Sequence, residues 1–264
     1  MTPQRTRDPR EVVGLLPAAG YAARLAPLPC SKELLPIGYR LLDGEPDKRP
    51  KVACHYLLER MQAAGITKAY IVIREGKWDI PAYLRNGEML QMDLAYLITT
   101  LPFGPPYTLD AAYPFVRETN VAFGFPDILF AADRAFQQLL SQQAIDDADI
   151  VLGLFPGDQP ERMDMVEIDE RNWVRDLVIK PRQTQLRYSW DVAVWSPTFT
   201  EFLHQHLAAL AFSAASRPEL SVGEVIQAAI KANLKIKGVP VSEEPYLDIG
   251  TAPGLAEALR RHAC

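Results

Sequence analysis

Short apolar, β-rich runs alternate with helix-length segments along most of this chain, and that alternation limits the fold more than any other feature of the sequence. Residues 12–16 form a continuous apolar run that stops at Pro17, as a strand buried on both faces does. In 51–64, Val52, Tyr56, Leu57, Met61 and Ala64 recur at helical spacing, Gly65 follows as a stop, and 69–73 is again β-rich. The pattern predicts further strands over 93–99, 120–125 and 150–155, with helices over 108–116 and 132–142 between them. The second half is less regular. It predicts strands over 163–168, 174–179, 191–195 and 234–241, and helices over 198–210 and 222–233. Glycine and proline mark 39–50 and 101–107 as loops. Strands interleaved with helices in this way imply an α/β fold: a Rossmann-like, doubly wound, mostly parallel mixed sheet with helices on both faces, and ligands at the carboxyl ends of its strands.

Composition narrows the function classes. A chain of 264 residues, 48% of them hydrophobic, can bury one sizeable core, so 12–264 reads as a single domain behind a flexible tail over 1–11. No run approaches the roughly 18 apolar residues that a membrane helix needs, and the polar, arginine-bearing start is not a signal core. The expectation is a cytoplasmic protein with no membrane partner. Cys30, Cys54 and Cys264 lack CxxC spacing and support neither a disulfide framework nor a zinc site. The net charge of −5, without a dense basic run, argues against a nucleic-acid partner. His204 and His206 are two apart on a helix and face different ways, while His55 and His262 have no ligating neighbour in sequence. The first turn lacks GxGxxG, and no GxSxG is present, which disfavours dinucleotide binding and covalent hydrolysis.

Chemistry concentrates at the first strand-to-helix turn, where backbone N–H groups of a small-residue loop can converge on an anion and a cation can neutralise it. Pro17, Ala18, Ala19, Gly20, Tyr21 and Ala22 form that loop, which runs into Arg24 and then, through Ser31, into Lys32-Glu33-Leu34-Leu35-Pro36-Ile37. This string resembles the signature of the sugar-1-phosphate nucleotidyltransferases, which include the glucose-1-phosphate thymidylyl- and uridylyltransferases: approximately LAGGxGTRLxPLT followed by PKxLLPI. Ala22 and Ala23 stand where that pattern has glycine and threonine. Three further stretches resemble the same family in the same order. Phe125-Pro126-Asp127 is similar to the strand that delivers a metal-binding aspartate, Val178-Ile179-Lys180-Pro181 to its E-E-K-P, and Tyr246-Leu247-Asp248-Ile249-Gly250-Thr251 to its W-L-D-T-G-T. Each residue taken alone has a plainer reading. Arg24 and Lys32 suit a charged surface, Asp127 a helix cap, Asp248 a turn before Gly250, and Lys180 a solvated strand end.

The resemblance implies a nucleotide-diphospho-sugar transferase fold and a reaction that condenses a nucleoside triphosphate with a sugar 1-phosphate, releasing pyrophosphate. It implies Mg²⁺ as cofactor, held by Asp127 and Asp248, which suits a hard cation that prefers oxygen ligands. Arg24 and Lys32 would meet the triphosphate, Lys180 the phosphate of the acceptor, and Thr99 falls near the base-reading position. Homo-oligomers are common in the family. The pocket for the sugar departs from the pattern at three places: Ile179 replaces a glutamate, and Asp164 and Asp191 replace glycines. A buried carboxylate needs a hydroxyl or cationic partner, so these changes point away from plain glucose 1-phosphate, with amino-substituted acceptors among the candidates. Two other readings share these residues. A cytidylyltransferase acting on a non-sugar phosphate such as phosphocholine would keep the chemistry with a changed acceptor pocket. A noncatalytic, nucleotide-sugar-binding regulatory relative would tolerate Ala22, Ala23 and Ile179, but has no need to keep both aspartates and all three cations.

Overall fold

The computed structural model describes residues 11–41, 47–100, 103–210 and 219–262. The chain runs through β1 (Val12–Pro17), the hairpin β2 (Pro36–Arg40) and β3 (Arg49–Val52), α1 (Ala53–Ala63), β4 (Lys68–Arg74), α2 (Asp79–Leu84) and β5 (Asp93–Thr99). It continues with α3 (Pro105–Asp110), α4 (Tyr113–Val116), β6 (Asn120–Phe123), β7 (Ile128–Leu129), α5 (Ala135–Asp146), β8 (Ile150–Pro156), β9 (Asp164–Ile168) and β10 (Val174–Ile179). β11 (Tyr188–Trp195), α6 (Pro197–Leu210), α7 (Val222–Lys231), β12 (Ile236–Pro240), β13 (Leu247–Asp248) and α8 (Ala252–Arg261) complete it.

Nine strands form one mixed sheet. β5, β4, β1 and β6 are mutually parallel, and β12 lies parallel to β8. β11 runs antiparallel to β6, β8 and β9 and so joins the parallel half to the rest. β1 lies between β4 and β6, so the chain leaves it on both sides and opens a crevice at its carboxyl end, where doubly wound sheets bind ligands. Alternation along the buried strands supplies both cores. Leu16, Ile71, Ile73, Val151 and Val194 pack with α1 and α5, whereas Val13, Leu15, Val72, Leu152 and Leu154 pack with Leu109, Phe199, Leu203 and Val225 on the other face. A third apolar group, including Ile37, Tyr56, Leu129, Ile249 and Ala258, seats α8.

The main differences from the sequence expectation have local causes. The loop expected over 39–50 is in part a hairpin, since Tyr39 and Arg40 pair with Pro50 and Arg49; residues 42–46 lie outside the described residues. Lys51 and Val52 belong to that hairpin, so the helix expected over 51–64 begins at Ala53. The single helix expected over 108–116 is two short ones because Pro114 lacks the N–H that would bond back to Asp110. Pro105, Pro106 and Tyr107, expected in a loop, instead open α3, where a proline's missing donor costs nothing; 101–102 lie outside the described residues. β6 ends at Phe123 rather than at 125, before Pro126. α5 starts at Ala135 rather than at 132 and runs past 142 until Asp147 turns left-handed at φ +48°. Periodicity gave no sign of α2 or of the two-residue strands β7 and β13.

Candidate active site

A cavity of about 940 Å³ opens at the carboxyl end of β1, lined by Pro17, Ala19, Gly20, Arg24, Lys32, Asp127, Asp164, Lys180, Asp191 and Asp248. A second cavity of about 700 Å³ adjoins it, sharing Gly20, Arg24 and Lys32 and adding Tyr21, Ala22, Ala23, Phe103 and Tyr107. Residues spread over more than two hundred positions of sequence therefore surround one crevice.

The loop after β1 is anchored from below. The Ala18 N–H donates to the Val72 carbonyl at 2.7 Å, and the Ala18 carbonyl accepts from Lys77 Nζ at 2.7 Å. Lys77 also donates to both Glu33 carboxylate oxygens, at 2.7 and 2.8 Å, in a pair only 4% and 1% exposed. Burial pushes the Glu33 carboxyl up and the Lys77 ammonium down, against the attraction between them. Ala18, expected among the nucleotide contacts, lines neither cavity, since both of its backbone groups are used internally. Gly20 is open: a Cβ there would meet nothing within 4 Å, so a ligand can approach its backbone. Tyr21 is 66% exposed with the Arg74 guanidinium 4.2 Å above its ring. Ala22 stands at φ +53°, a left-handed conformation that costs an alanine about 1–2 kcal/mol.

Lys32 opens a single 3₁₀ turn whose preceding Ser31 donates from its N–H and Oγ to Asp79 at 2.6 and 2.8 Å. Burial opposes ionisation of Asp79, but these bonds hold its carboxyl below the usual range. The turn aims Lys32 Nζ at Asp127 Oδ2, with which it forms a largely buried ion pair. Burial works against the Lys32 charge, yet Asp127, Glu33 and Asp248 together raise its ammonium above the ordinary value.

Asp127 and Asp248, 121 positions apart, are brought together by a two-stranded sheet of two-residue strands. Asp248 on β13 pairs with Ile128 on β7, and the Ile249 N–H donates to the Asp127 carbonyl at 3.2 Å. Asp248 Oδ1 accepts from the Gly250 N–H at 2.7 Å and Oδ2 from Arg24 Nη2 at 3.2 Å. A Cβ on Gly250 would lie 2.8 Å from Asp248 Oδ1 and 3.0 Å from Asp127 Oδ2, so both carboxylates reach one small space. No group of three or more metal-ligating side chains occurs among the described residues. Two converging hard oxygen donors with no third ligand fit Mg²⁺, which keeps waters and phosphate oxygens in its shell. Gly250→Ala fills that space, and turnover is expected to fall at least tenfold, with a higher Mg²⁺ concentration needed for half-activity. Wild-type dependence on Mg²⁺ in that variant would refute the shared space.

Three of the acceptor candidates, Lys180, Asp164 and Asp191, line the same cavity. Lys180 follows β10, at φ +44°, and lines the cavity. Asp164 begins β9, opposite Ile179. Burial pushes its carboxyl up to about 6, Glu224 adds to this, and Lys180 opposes it. Asp191 is 5% exposed; burial first, then Asp127, Asp248 and Asp164, raise its carboxyl well above the ordinary value. Two expected positions lie elsewhere. Ile179 does not line the cavity: its side chain packs into the apolar core under α7, near Gly223. Thr99 ends edge strand β5 opposite Arg74 and lines neither cavity; Gly104, Pro105 and Thr108 line the main one instead.

The raised Asp164 pKa gives a pH prediction. A carboxyl raised in the folded state stabilises it fully below the ordinary value of 3.8, and loses that contribution as pH rises through about 6. Asp164→Asn is therefore expected to melt at a progressively higher temperature than wild type as pH increases from 4 to 7. A difference that stays constant over this range would contradict the assignment.

Sequence reading missed three features of the site. Lys77 has no motif around it, and Glu33 lies inside the recognised Lys32–Ile37 string without any sign that it is buried. Trp190 lines the cavity from a strand position that a regular pleat would turn away.

Among curated proteins, no sequence matches this chain significantly. Solved structures that share its fold include two sugar-nucleotide enzymes. One is a protein assigned as a glucose-1-phosphate thymidylyltransferase from Bacillus anthracis, in complex with sucrose, with a TM-score of 0.79 at 20% identity over 95% of both chains. The other is a UDP-glucose pyrophosphorylase in complex with UDP-glucose, with a TM-score of 0.76 at 18% identity over 96% of this chain and 98% of that one. The likeness gives the architecture, that of the nucleotide-diphospho-sugar transferases. The sequence itself matches a family of enzymes across residues 13–263, a span that takes in every residue of the cavity wall, and on that match the chain belongs to the nucleotidyl transferase family.

Proposed function

We propose that this protein, acting as a single domain over 12–264, condenses a nucleoside triphosphate with a sugar 1-phosphate to give a nucleotide-sugar and pyrophosphate, in a Mg²⁺-dependent reaction. One observation carries the reading: Arg24 and Lys32 from the first turn form ion pairs with Asp248 and Asp127, from two distant stretches of chain, on the wall of a cavity that Lys180 also lines.

The reaction needs little covalent work from the protein. An oxygen of the acceptor phosphate attacks the α-phosphorus of the nucleotide; the new P–O bond forms as the bond to the bridging oxygen breaks, and that electron pair leaves with pyrophosphate. The attacking oxygen is already anionic near neutral pH, so no general base is required. Catalysis then rests on alignment and charge neutralisation. Each cation is held by one of the carboxylates. Triphosphate binding would draw Lys32 and Arg24 to the phosphates and release Asp127 and Asp248 to hold Mg²⁺, which when bound neutralises phosphate oxygens and the charge growing on the leaving group. Lys180 orients the acceptor phosphate, and the open backbone at Gly20 faces the triphosphate. The anchoring of Ala18 by Lys77 fixes that loop beforehand, which lowers the entropy lost on binding.

The test is pyrophosphate release by the purified protein with Mg²⁺, each nucleoside triphosphate being paired with a panel of sugar 1-phosphates and with phosphocholine. Release that requires one nucleotide and one sugar 1-phosphate is expected. Release with phosphocholine alone would replace the acceptor class, and silence across the panel would overturn the reading. Lys180→Ala is expected to raise the KM for the acceptor more than that for the nucleotide; the reverse order would remove Lys180 from the acceptor side.

A further inference from the structure

β11 departs from regular pairing at the cavity. Trp190 pairs with Leu154 and Val192 with Gly153, so Asp191 is an extra residue in a β-bulge. Successive residues on a regular strand face opposite sides, but Trp190 and Asp191 both line the cavity, as a bulge permits. Each is 5% exposed, and each presents a buried polar atom without a partner: Trp190 Nε1 and Asp191 Oδ2. On the neighbouring strand β9, Asp164 Oδ1 is likewise buried and unpartnered. Its Oδ2 lies against the first turn of α7, where a Cβ on Gly223 would come within 2.1 Å, so Oδ1 is the oxygen left for a ligand.

Buried polar atoms are nearly always hydrogen-bonded, and three orphans around one cavity mark a missing group. That group must satisfy one indole N–H, which only donates, and two carboxyl oxygens, which only accept once ionised, the state that a cationic partner favours. Asp191 does not supply a third metal ligand, since no group of three or more exists among the described residues. A quaternary ammonium has no N–H to give the carboxylates and no oxygen for the indole.

We propose that the acceptor is an amino-substituted sugar 1-phosphate, its ammonium donating to Asp164 Oδ1 and Asp191 Oδ2 and a neighbouring ring oxygen accepting from Trp190 Nε1. This rests on the reading of Lys180, with Asp164 and Asp191 beside it, as the acceptor side. The fourth polar contact of that acceptor, its phosphate, meets Lys180.

The experiment compares kcat/KM for pyrophosphate release with glucose 1-phosphate, with analogues bearing one amino group in place of a ring hydroxyl at each carbon in turn, and with their N-acetyl derivatives. One amino analogue is expected to surpass glucose 1-phosphate by about tenfold or more, as charge-assisted hydrogen bonds in a dry site do, and N-acetylation is expected to abolish the advantage. Asp191→Asn and Asp164→Asn should each bring the ratio of amino to hydroxyl acceptor toward unity. Asparagine matches aspartate in shape, and melting curves establish that the variants fold. Equal use of amino and hydroxyl acceptors, a preference that survives both substitutions, or a preference for phosphocholine would overturn the inference while leaving nucleotidyl transfer intact. If no acceptor releases pyrophosphate, the proposed reaction fails instead. Calorimetric binding of the amino analogues to wild type and Asp191→Asn then decides the inference on its own: tighter binding of an amino analogue that is lost in the variant supports it, and no difference overturns it.

Discussion

Asp127→Asn and Asp248→Asn are each expected to lower turnover by about two orders of magnitude or more while the protein keeps its fold. Both carboxylates serve charge rather than packing. Each faces a cation, Lys32 for Asp127 and Arg24 for Asp248, and each reaches the space beside Gly250. Asparagine preserves the volume and one acceptor oxygen, so the β7–β13 ribbon, whose pairing is through the backbone, has no reason to separate. What is lost is the negative charge that a divalent cation needs to compete with water. The two variants should differ in stability. Asp127→Asn strands a largely buried lysine, whereas Asp248→Asn leaves only an exposed arginine without its partner, and an exposed pair contributes little. A lower melting temperature is therefore expected for Asp127→Asn than for Asp248→Asn, alongside comparable losses of turnover measured by pyrophosphate release at saturating Mg²⁺. Near-wild-type rates in both variants would remove these residues from catalysis and the reaction from this protein.

The sequence exposed those parts of the site that repeat a local pattern, and hid those that depend on how distant pieces meet. β1, its terminal Pro17 and the cations Arg24 and Lys32 were legible because an apolar run followed by small residues has one common structural meaning. The aspartates were legible by resemblance only. What unites them is the two-residue pairing of β7 with β13, too short to carry a period. Asp191 was legible as an odd residue in a predicted strand, but not as the extra residue of a bulge, because a bulge is defined by the register of its partner strand. That Ala18 lines neither cavity was hidden because backbone donors look alike in sequence, and only the structure reveals that its N–H is spent on Val72. Thr99 lines neither cavity, and the nearby turn that does reach the main one begins at Gly104, in a segment without a clear counterpart in the family pattern. Ile179 follows the simpler rule: an apolar side chain at the end of a strand joined the core, and the acceptor wall was left to its neighbours.

The largest effect on stability is expected from a residue that no motif contains. Lys77→Met should destabilise the protein by about 3–5 kcal/mol in urea denaturation near neutral pH, since removing one partner of a buried pair leaves the other charge uncompensated. Glu33 would lose two hydrogen bonds at a position 1% exposed to solvent, and the Ala18 carbonyl would lose a third. Glu33 can escape by taking up a proton, for which burial already prepares it by raising its carboxyl. A carboxyl raised in the folded state stabilises that state at pH values below its unfolded value and ceases to do so as pH rises through the folded one. The deficit of Lys77→Met should accordingly be smaller near pH 5 than near pH 8. Adding Glu33→Gln removes the stranded charge, so the double variant should recover part of the loss, whereas independent residues would sum their losses. A deficit below about 1 kcal/mol, or simple additivity in the double variant, would mean that the pair contributes little net stability. The consequence for function follows from the third bond. Ala18 begins the loop that carries Gly20 and Arg24, and with its carbonyl unheld the loop must be ordered by the nucleotide itself. The double variant, though more stable than Lys77→Met, should therefore keep a raised KM for the triphosphate, which separates the role of Lys77 in neutralising Glu33 from its role in holding the loop.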